Sequence, residues 1–162
     1  MKLFSLSLLS LVALFASLTV LAEDLGVAWK SVPAPVQKAL RDRYPIPEII
    51  AIDKEDEGGS ITYEFELKEN GHEFVAEFTD KGQFVKQEDE IAEKDVPEKV
   101  IKPLRAKYAK AKIKLIERVI NGEGDKATTT FEFHIEVGKE SRAIEIDGDG
   151  KILTDEVVES KK

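Results

Sequence analysis

The chain has 162 residues, which is enough for one domain or two small ones. It contains no cysteine, which excludes a disulfide framework, a thiolate zinc site and a cysteine nucleophile. The 24 basic and 32 acidic residues give a net charge of −8, which argues against nucleic acid as a partner because nucleic-acid binding needs a basic surface. A basic protein surface or a cation fits this charge better.

The first 22 residues predict an export signal. Lys2 supplies a positive charge, an uncharged apolar run follows from Leu3 to Leu21, and the stretch from Val20 to Ala22 offers a small-residue cleavage site. The apolar run is long for a signal peptide, so an uncleaved membrane anchor is the alternative. Both interpretations place the body of the protein outside the cytoplasm, in the periplasm or the extracellular space. After cleavage we expect no integral membrane segment.

After the signal, the chain contains two copies of one unit, predicted as residues 23–90 and 91–162. The segment "SVPAPVQKALRDRYP" of the first copy aligns with "DVPEKVIKPLRAKYA" of the second at an offset of 64 residues. After a four-residue insertion the offset becomes 68, and "TYEFEL" aligns with "TFEFHI". Internal repeats of this kind predict that one supersecondary unit is used twice.

Each copy opens with a predicted helix. Ser31 and Asp95 are suitable N-cap residues, and a proline follows each of them in the predicted first turn. In the first copy, Val36 and Leu40 begin an apolar stripe with a spacing of four residues. Pro103 lies inside the second helix and predicts either a kink or a division into two short pieces.

About four strands are predicted after each helix. Apolar and charged residues alternate through "TYEFEL" (62–67), as in a strand that is buried on one side. Asn70 and Gly71 form a dipeptide typical of a tight hairpin turn. The segments 53–60 and 121–126 are rich in charge and glycine and predict turns.

These elements predict an α+β fold built from two tandem repeats. Each repeat is one helix, whole or split, packed on about four antiparallel strands, and the two repeats join into one curved sheet. One face of this sheet is expected to carry the helices, and the other face is expected to contact solvent.

The segment "EIDGDGKILTDE" near the end of the chain resembles a calcium-binding loop. Glu145, Asp147, Asp149 and Glu156 occupy the spacing of the carboxylate ligands in an EF-hand. In the first copy, however, Lys81 aligns with Asp149, and a lysine does not ligate a cation. The flanking residues also predict strands instead of helices. The sequence therefore favours a tight turn, and no metal or other cofactor is predicted.

The chain lacks the sequence motifs of common catalytic sites, and its two histidines do not have a metal-binding spacing. We therefore predict a protein that is not an enzyme. His134 falls on the polar side of its strand and is expected to be solvated. The candidate binding residues share this solvent-facing side of the sheet, and they are Glu64, Glu66, Glu77, Glu132, His134, Glu136 and Glu145. A charged face that only keeps the protein soluble and prevents edge pairing explains the same pattern without any ligand.

The segments "VPAPVQKALRDRYP" and "YEFELKENGHEFVAEFTDKGQFV" resemble the PepSY-like, beta-lactamase-inhibitor-like domain of exported bacterial proteins. The second copy fits the pattern more loosely, since Ala109 replaces the proline after the tyrosine and Lys139 replaces the hairpin glycine. Together the copies cover nearly all of the mature chain. The resemblance implies an exported, non-enzymatic module with a curved antiparallel sheet. Relatives by fold include an inhibitor that grips its target enzyme with the open face of such a sheet.

Two functional hypotheses follow. The first is a binding module that docks an exported protein or peptide on the acidic sheet face and inhibits an exported peptidase or other hydrolase. The alternative is a cell-envelope protein that binds a cation or a small ligand with clustered carboxylates.

The signal predicts a defined N-terminus for the exported protein. Cleavage after Ala22 leaves Glu23 as the first residue, because Val20 and Ala22 are the small residues that the peptidase recognises. Mass spectrometry of the exported protein measures this mass directly. A full-length product in the membrane fraction would instead support the uncleaved anchor.

Overall fold

A computed structural model of the chain describes residues 27–158, so the predicted signal and its cleavage site lie outside the described residues. The chain is arranged in two blocks, each of one α-helix followed by four strands. The first block contains α1 (Ala34–Arg43), β1 (Glu48–Glu57), β2 (Ser60–Glu69), β3 (His72–Thr79) and β4 (Phe84–Glu90). The second contains α2 (Glu98–Lys107), β5 (Lys112–Asn121), β6 (Thr128–Val137), β7 (Glu140–Asp147) and β8 (Ile152–Val158).

All eight strands belong to one sheet and lie in the order in which they occur along the chain. Every neighbouring pair is antiparallel, including β4 and β5, which connect the two blocks. The predicted α+β class is therefore confirmed, and the strands of both copies form a single sheet.

The irregularities of the sheet recur in the second block. The β1–β2 register shifts between Ile49 and Ala51, and the β5–β6 register shifts between Ile113 and Leu115. The β3–β4 register shifts after Glu77, and the β7–β8 register shifts after Glu145. These positions are separated by the same offsets of 64 and 68 residues that align the two copies in sequence.

Each helix covers the strands of its own block. Val36 and Leu40 of α1 are fully buried against a cluster that includes Phe65, and Val100 of α2 is buried against a cluster that includes Phe133. Phe65 and Phe133 are both completely buried, as the alternation of their strands predicted. Burying a phenylalanine stabilises the folded state by about 1.5–3 kcal/mol relative to leaving it exposed.

The predicted N-caps are wrong. Ser31 and Asp95 lie in short 3₁₀ turns, and the helices begin later, after Pro33 and Pro97, with no side-chain cap. The physical reason is that proline disfavours helical backbone at the residue before it, and Val32 is accordingly extended, so the helix begins only after Pro33.

Pro103 does not divide its helix, so of the two predicted alternatives, a kink or a division into two short pieces, the division is wrong. It lies within one uninterrupted helix, α2, of ten residues. A proline at this place removes the hydrogen bond that the carbonyl of Lys99 would accept, four residues earlier. Gly150 lies against that carbonyl, where a side chain would not fit.

The predicted turn at 53–60 is also wrong over most of its length. Residues 53–57 continue β1 and pair with β2, and the turn narrows to Gly58 and Gly59. β1 is an edge strand, and residues 53–57 are exposed on both sides. A charged run therefore replaces the apolar alternation by which a strand is recognised, and charge on an edge strand prevents pairing with other chains.

The turn between β7 and β8 packs against helix α2. The backbone N–H groups of Asp149 and Lys151 donate to the Asp147 carboxylate, each at 2.9 Å. Gly150 has a φ of +89°, and a Cβ there would lie 2.2 Å from the carbonyl oxygen of Lys99. Gly82 of the first copy lies in the same relation to Pro35. The glycine of the predicted turn is thus required by a close contact with the first turn of the helix.

The effect of this contact on stability can be separated from the effect of the positive φ. Gly59 has a similar φ of +90°, but a Cβ there would meet nothing within 4 Å. Gly59→Ala should therefore cost only the backbone strain of about 1–3 kcal/mol. We expect Gly150→Ala to cost clearly more in the free energy of unfolding, measured by urea titration, because its Cβ meets backbone atoms. Asp149→Asn should change stability by less than about 0.5 kcal/mol, because the Asp149 side chain is 93% exposed. Equal costs at Gly59 and Gly150 would contradict the contact.

Candidate functional site

The sheet face opposite the two helices, here called the open face, carries all seven residues predicted from sequence. Cross-strand pairing places Glu64 beside Glu77 and Glu132 beside Glu145. His134 and Glu136 follow Glu132 at every second residue of β6, and Glu66 follows Glu64 on β2. All seven are partly buried instead of fully exposed.

One group of charges forms around Lys86 on β4. Its ammonium lies 2.7 Å from Glu88 Oε1 and 3.6 Å from Glu77 Oε2. Burial alone would lower the pKa of Lys86, but these carboxylates outweigh it and raise that pKa. Burial also raises the pKa of Glu64 to about 7, although Lys86 opposes the change. Glu64 therefore keeps its proton to a higher pH than an exposed glutamate does.

A second group forms around His134 on β6. Its Nε2 atom lies 3.1 Å from Glu132 Oε1 and 3.6 Å from Glu117 Oε2. The carboxylates of Glu117 and Glu132 raise the pKa of His134 to about 9, against the effect of burial. The predicted solvated histidine is thus wrong, because the His134 side chain is only 20% exposed and lies between two carboxylates.

Glu88 connects the two groups across the β4–β5 pair. Burial raises its pKa, Lys86 opposes this, and the charges of Glu117 and Glu132 raise it further. The resulting set crosses the middle of the open face from β2 to β6. We call it the junction row, and its members are Glu64, Glu77, Lys86, Glu88, Glu117, Glu132 and His134.

The remaining predicted residues lie outside this row. Glu136 forms a separate ion pair with Lys114 at 3.0 Å. Burial raises the pKa of Glu66, and the nearby charges of Glu73 and Asp53 raise it further. Glu145 is the cross-strand neighbour of Glu132, but no ion pair joins it to the row among the described residues.

Three members of the junction row were missed in the sequence, namely Lys86, Glu88 and Glu117. Glu117 follows the register shift between Ile113 and Leu115, which reverses the alternation of faces along β5. Lys86 and Glu88 follow a similar shift opposite Glu77 on β3. The repeated spacing of three between Ile49 and Ile52, and between Ile113 and Ile116, was the available signal of such a shift.

The helix side of the β4–β5 pair holds a different carboxylate, Asp89, which is 1% exposed. It accepts hydrogen bonds from Gln87 and Arg118 and lies 3.0 Å from His72 Nε2. Burial would raise the pKa of Asp89, but its partners outweigh burial and lower it. Because its partners come from β3, β4 and β5, Asp89 stabilises the junction of the two blocks.

The family model described as "putative beta-lactamase-inhibitor-like, PepSY-like" matches residues 21–86 and 70–153. The chain therefore belongs to the PepSY-like, beta-lactamase-inhibitor-like family. The two matched regions overlap at residues 70–86 and together span residues 21–153, and the predicted resemblance is confirmed. No curated protein matches the chain.

Several solved structures share the fold. A BLIP-like protein from Bacteroides fragilis has a TM-score of 0.62 and 20% identity, over 80% of this chain and 89% of its own. A DUF2874 family protein from Bacteroides uniformis has a TM-score of 0.64 and 20% identity, over 78% of this chain and 89% of its own. A protein from Bacteroides eggerthii, described as "putative periplasmic", has a TM-score of 0.64 and 17% identity, over the same shares.

Within residues 27–158, none of the helices has the length and apolar character needed to cross a membrane.

The raised pKa of Glu64 makes a specific prediction about pH. The folded state holds the Glu64 proton up to about pH 7, while the unfolded state loses it near 4.5, so the stability that this proton contributes is lost as the pH rises between these values. Glu64→Gln stays neutral, so its free energy of unfolding should rise relative to wild type across this range. We expect a gain of about 1–2 kcal/mol by pH 8, allowing for partial exposure.

Denaturant titrations at pH 4, 6 and 8 measure this difference. Thr62→Val, on the same face of β2, removes no titrating group and serves as the control, with an effect that should not change with pH. A Glu64→Gln effect that is equally independent of pH would contradict the desolvation of this carboxylate.

Proposed function

We propose that this chain is an exported, non-enzymatic binding module that docks a protein with a basic surface on its open face. The observation that carries the proposal is the junction row, a set of partly buried carboxylates in the middle of a sheet face that no helix covers within residues 27–158. A face kept charged only for solubility would leave its charges in water, where they cost nothing.

The charge of the open face selects the partner. The carboxylates of Glu64, Glu77, Glu88, Glu117 and Glu132 meet only Lys86 and His134 inside the row. A lysine or arginine from a partner adds the missing positive charge. Complementary charge of this kind accelerates association and sets the orientation of the partner.

Burial prepares these carboxylates for a partner. Part of the water around Glu64 and Glu66 is already displaced by neighbouring strands, which is why burial raises their pKa values. An incoming cation would lower those pKa values again and would gain an interaction that is weakly screened by solvent. Partner binding is therefore expected to release a proton from Glu64 near neutral pH, where this carboxyl still holds one, and to release none at high pH, where it is already ionised.

A protein partner suits the shape of the open face better than a small ligand does. Small ligands prefer concave sites. Two surface depressions of the described structure lie at the β2–β3 hairpin around Gly71, away from the junction row. A BLIP-like neighbour and a family described by its likeness to beta-lactamase inhibitors also support a protein target, an exported hydrolase or peptidase.

Export is supported by the predicted signal at residues 1–22 and by the description of one neighbour as periplasmic. The sequence contains no common catalytic motif, and the family is described by likeness to an inhibitor, which supports a role other than catalysis.

The test uses residues 23–162, immobilised and exposed to the exported proteins of the native host. A captured protein is then purified, and its affinity is measured against two variants with the same change of charge. Glu66 lies on the open face near Glu73 and Asp53. The new lysine in Glu66→Lys therefore meets carboxylates, and the fold should tolerate it. Glu98→Lys lies at the start of α2, on the other side of the sheet.

We expect Glu66→Lys to weaken binding at least tenfold, Glu98→Lys to have little effect, and higher salt to weaken binding of the wild type. If the partner is a hydrolase, its rate with and without the bound chain shows whether docking inhibits it. Equal losses in the two variants, or binding that only Glu98→Lys abolishes, would place the docking surface elsewhere.

A further inference from the structure

Three side chains at the second-copy end of the junction row converge on one point. The β5–β6 register places Glu117 opposite Glu132, and His134 lies two residues further along the same face of β6. One ligand atom from each of Glu117, Glu132 and His134 lies within 4.8 Å of the other two. Among the described residues, this is the one group of histidine and carboxylate side chains with such a spacing.

The distances within this group fit a metal ion. Ligands about 2.0–2.1 Å from a tetrahedral zinc ion lie about 3.3 Å from one another. His134 Nε2 is 3.1 Å from Glu132 Oε1 and 3.6 Å from Glu117 Oε2, on either side of that value. The three side chains would need only small movements to hold an ion between them.

The surroundings of the imidazole are a second observation. His134 Nε2 is buried as an atom and lies within ion-pair distance of both carboxylates, but the geometry makes a hydrogen bond with neither of them. Buried polar atoms of folded proteins are nearly always paired. An ion bound at Nε2 would satisfy this atom together with both carboxylates.

We propose that Glu117, Glu132 and His134 form a binding site for a divalent transition metal ion of the zinc class. Each residue supplies one ligand atom, and the fourth tetrahedral position is left for water or for a group from a partner. This inference is independent of the docking function, since the ion can bind whether or not a protein covers the open face.

The chemistry of the ligands selects the ion. An imidazole nitrogen suits zinc, copper and nickel, whereas calcium and magnesium prefer oxygen ligands alone. Two carboxylates also balance the charge of a divalent ion at this site. Zinc binds the neutral form of an imidazole, so its affinity should rise with pH.

The site differs from the loop that resembles an EF-hand. In that loop the Asp147 carboxylate accepts two backbone N–H groups, and Asp149 pairs with Lys99 at 3.1 Å. Glu117, Glu132 and His134 instead come from two adjacent strands of the sheet.

The test is zinc binding to residues 23–162, prepared without a histidine tag and measured by isothermal titration calorimetry at pH 7.5. His72 provides a matched control, because it is the other of the two histidines in the chain and lies beside Asp89 on the helix side. We expect one zinc ion per chain in the wild type and in His72→Gln. His134→Gln should lose at least tenfold in affinity, and calcium and magnesium should give no saturable binding.

A second measurement keeps the test valid if His134→Gln fails to fold. In the wild-type protein, nitrogen NMR of the histidine side chains should show a zinc-dependent shift at His134 Nε2 and none at His72. Absence of saturable zinc binding, equal binding in His134→Gln, or loss only in His72→Gln would each overturn the proposal. In the first case the group is an ion pair without a metal.

Discussion

The pairing of β4 with β5 is the interaction on which the rest of the structure depends. It joins the last strand of the first copy to the first strand of the second, with Lys86 opposite Asn121 and Glu90 opposite Glu117. Backbone hydrogen bonds from Ile91 to Ile116 and from Gly122 to Val85 close its two ends, at 2.9 and 2.8 Å. Each copy alone would form a small four-stranded sheet with one helix, and so small a unit buries a marginal core.

This pairing also creates the candidate site. Glu88 belongs to the first copy, and Glu117 and Glu132 belong to the second, yet their charges are close enough to raise the pKa of Glu88. On the helix side, the same pair of strands buries Asp89 against Arg118 at 3.1 Å. The two faces of the junction therefore differ in how well their carboxylates are paired. Asp89 has a full set of partners, whereas the open face holds more carboxylates than cations.

An excess of partly buried carboxylates costs free energy, because desolvation disfavours their charged form. Glu64 responds by holding its proton up to about pH 7, and His134 by keeping its own up to about pH 9. A basic partner or a metal ion would each relieve this cost. Docking would relieve it across the whole junction row, whereas a metal ion would relieve it only at Glu117, Glu132 and His134.

The sequence predicts most of the fold because its signals are local and appear twice. The hairpin at Asn70-Gly71 and the burial of Phe65 and Phe133 follow from turn chemistry and alternation. The extension of β1 through residues 53–57 was not predicted, because an exposed edge strand needs no apolar side chains. The candidate site was predicted in part. The register shifts that place Glu117, Lys86 and Glu88 on the open face depend on backbone pairing, which no single segment of sequence specifies.

The helix boundaries show how a local rule can be overridden by its neighbours. Ser31 and Asp95 are good caps by type, but the Val-Pro pairs that follow them impose extended backbone. Pro103 is a helix breaker by type, but α2 passes through it without interruption. At the two helix starts the deciding residue, Pro33 or Pro97, lies two positions after the predicted cap.

The most direct test of the central claim, that the two copies fold as one cooperative sheet, is native-state hydrogen exchange on residues 23–162 with and without Phe65→Ala. The substitution removes a completely buried ring from the first copy and should cost about 3–5 kcal/mol. If the sheet is cooperative, the free energy of exchange should fall by the same amount at Phe133 in the second copy as in β2 and β3. If protection at Phe133 stays at the wild-type value while β2 and β3 lose theirs, the copies unfold separately and the account of the junction is wrong.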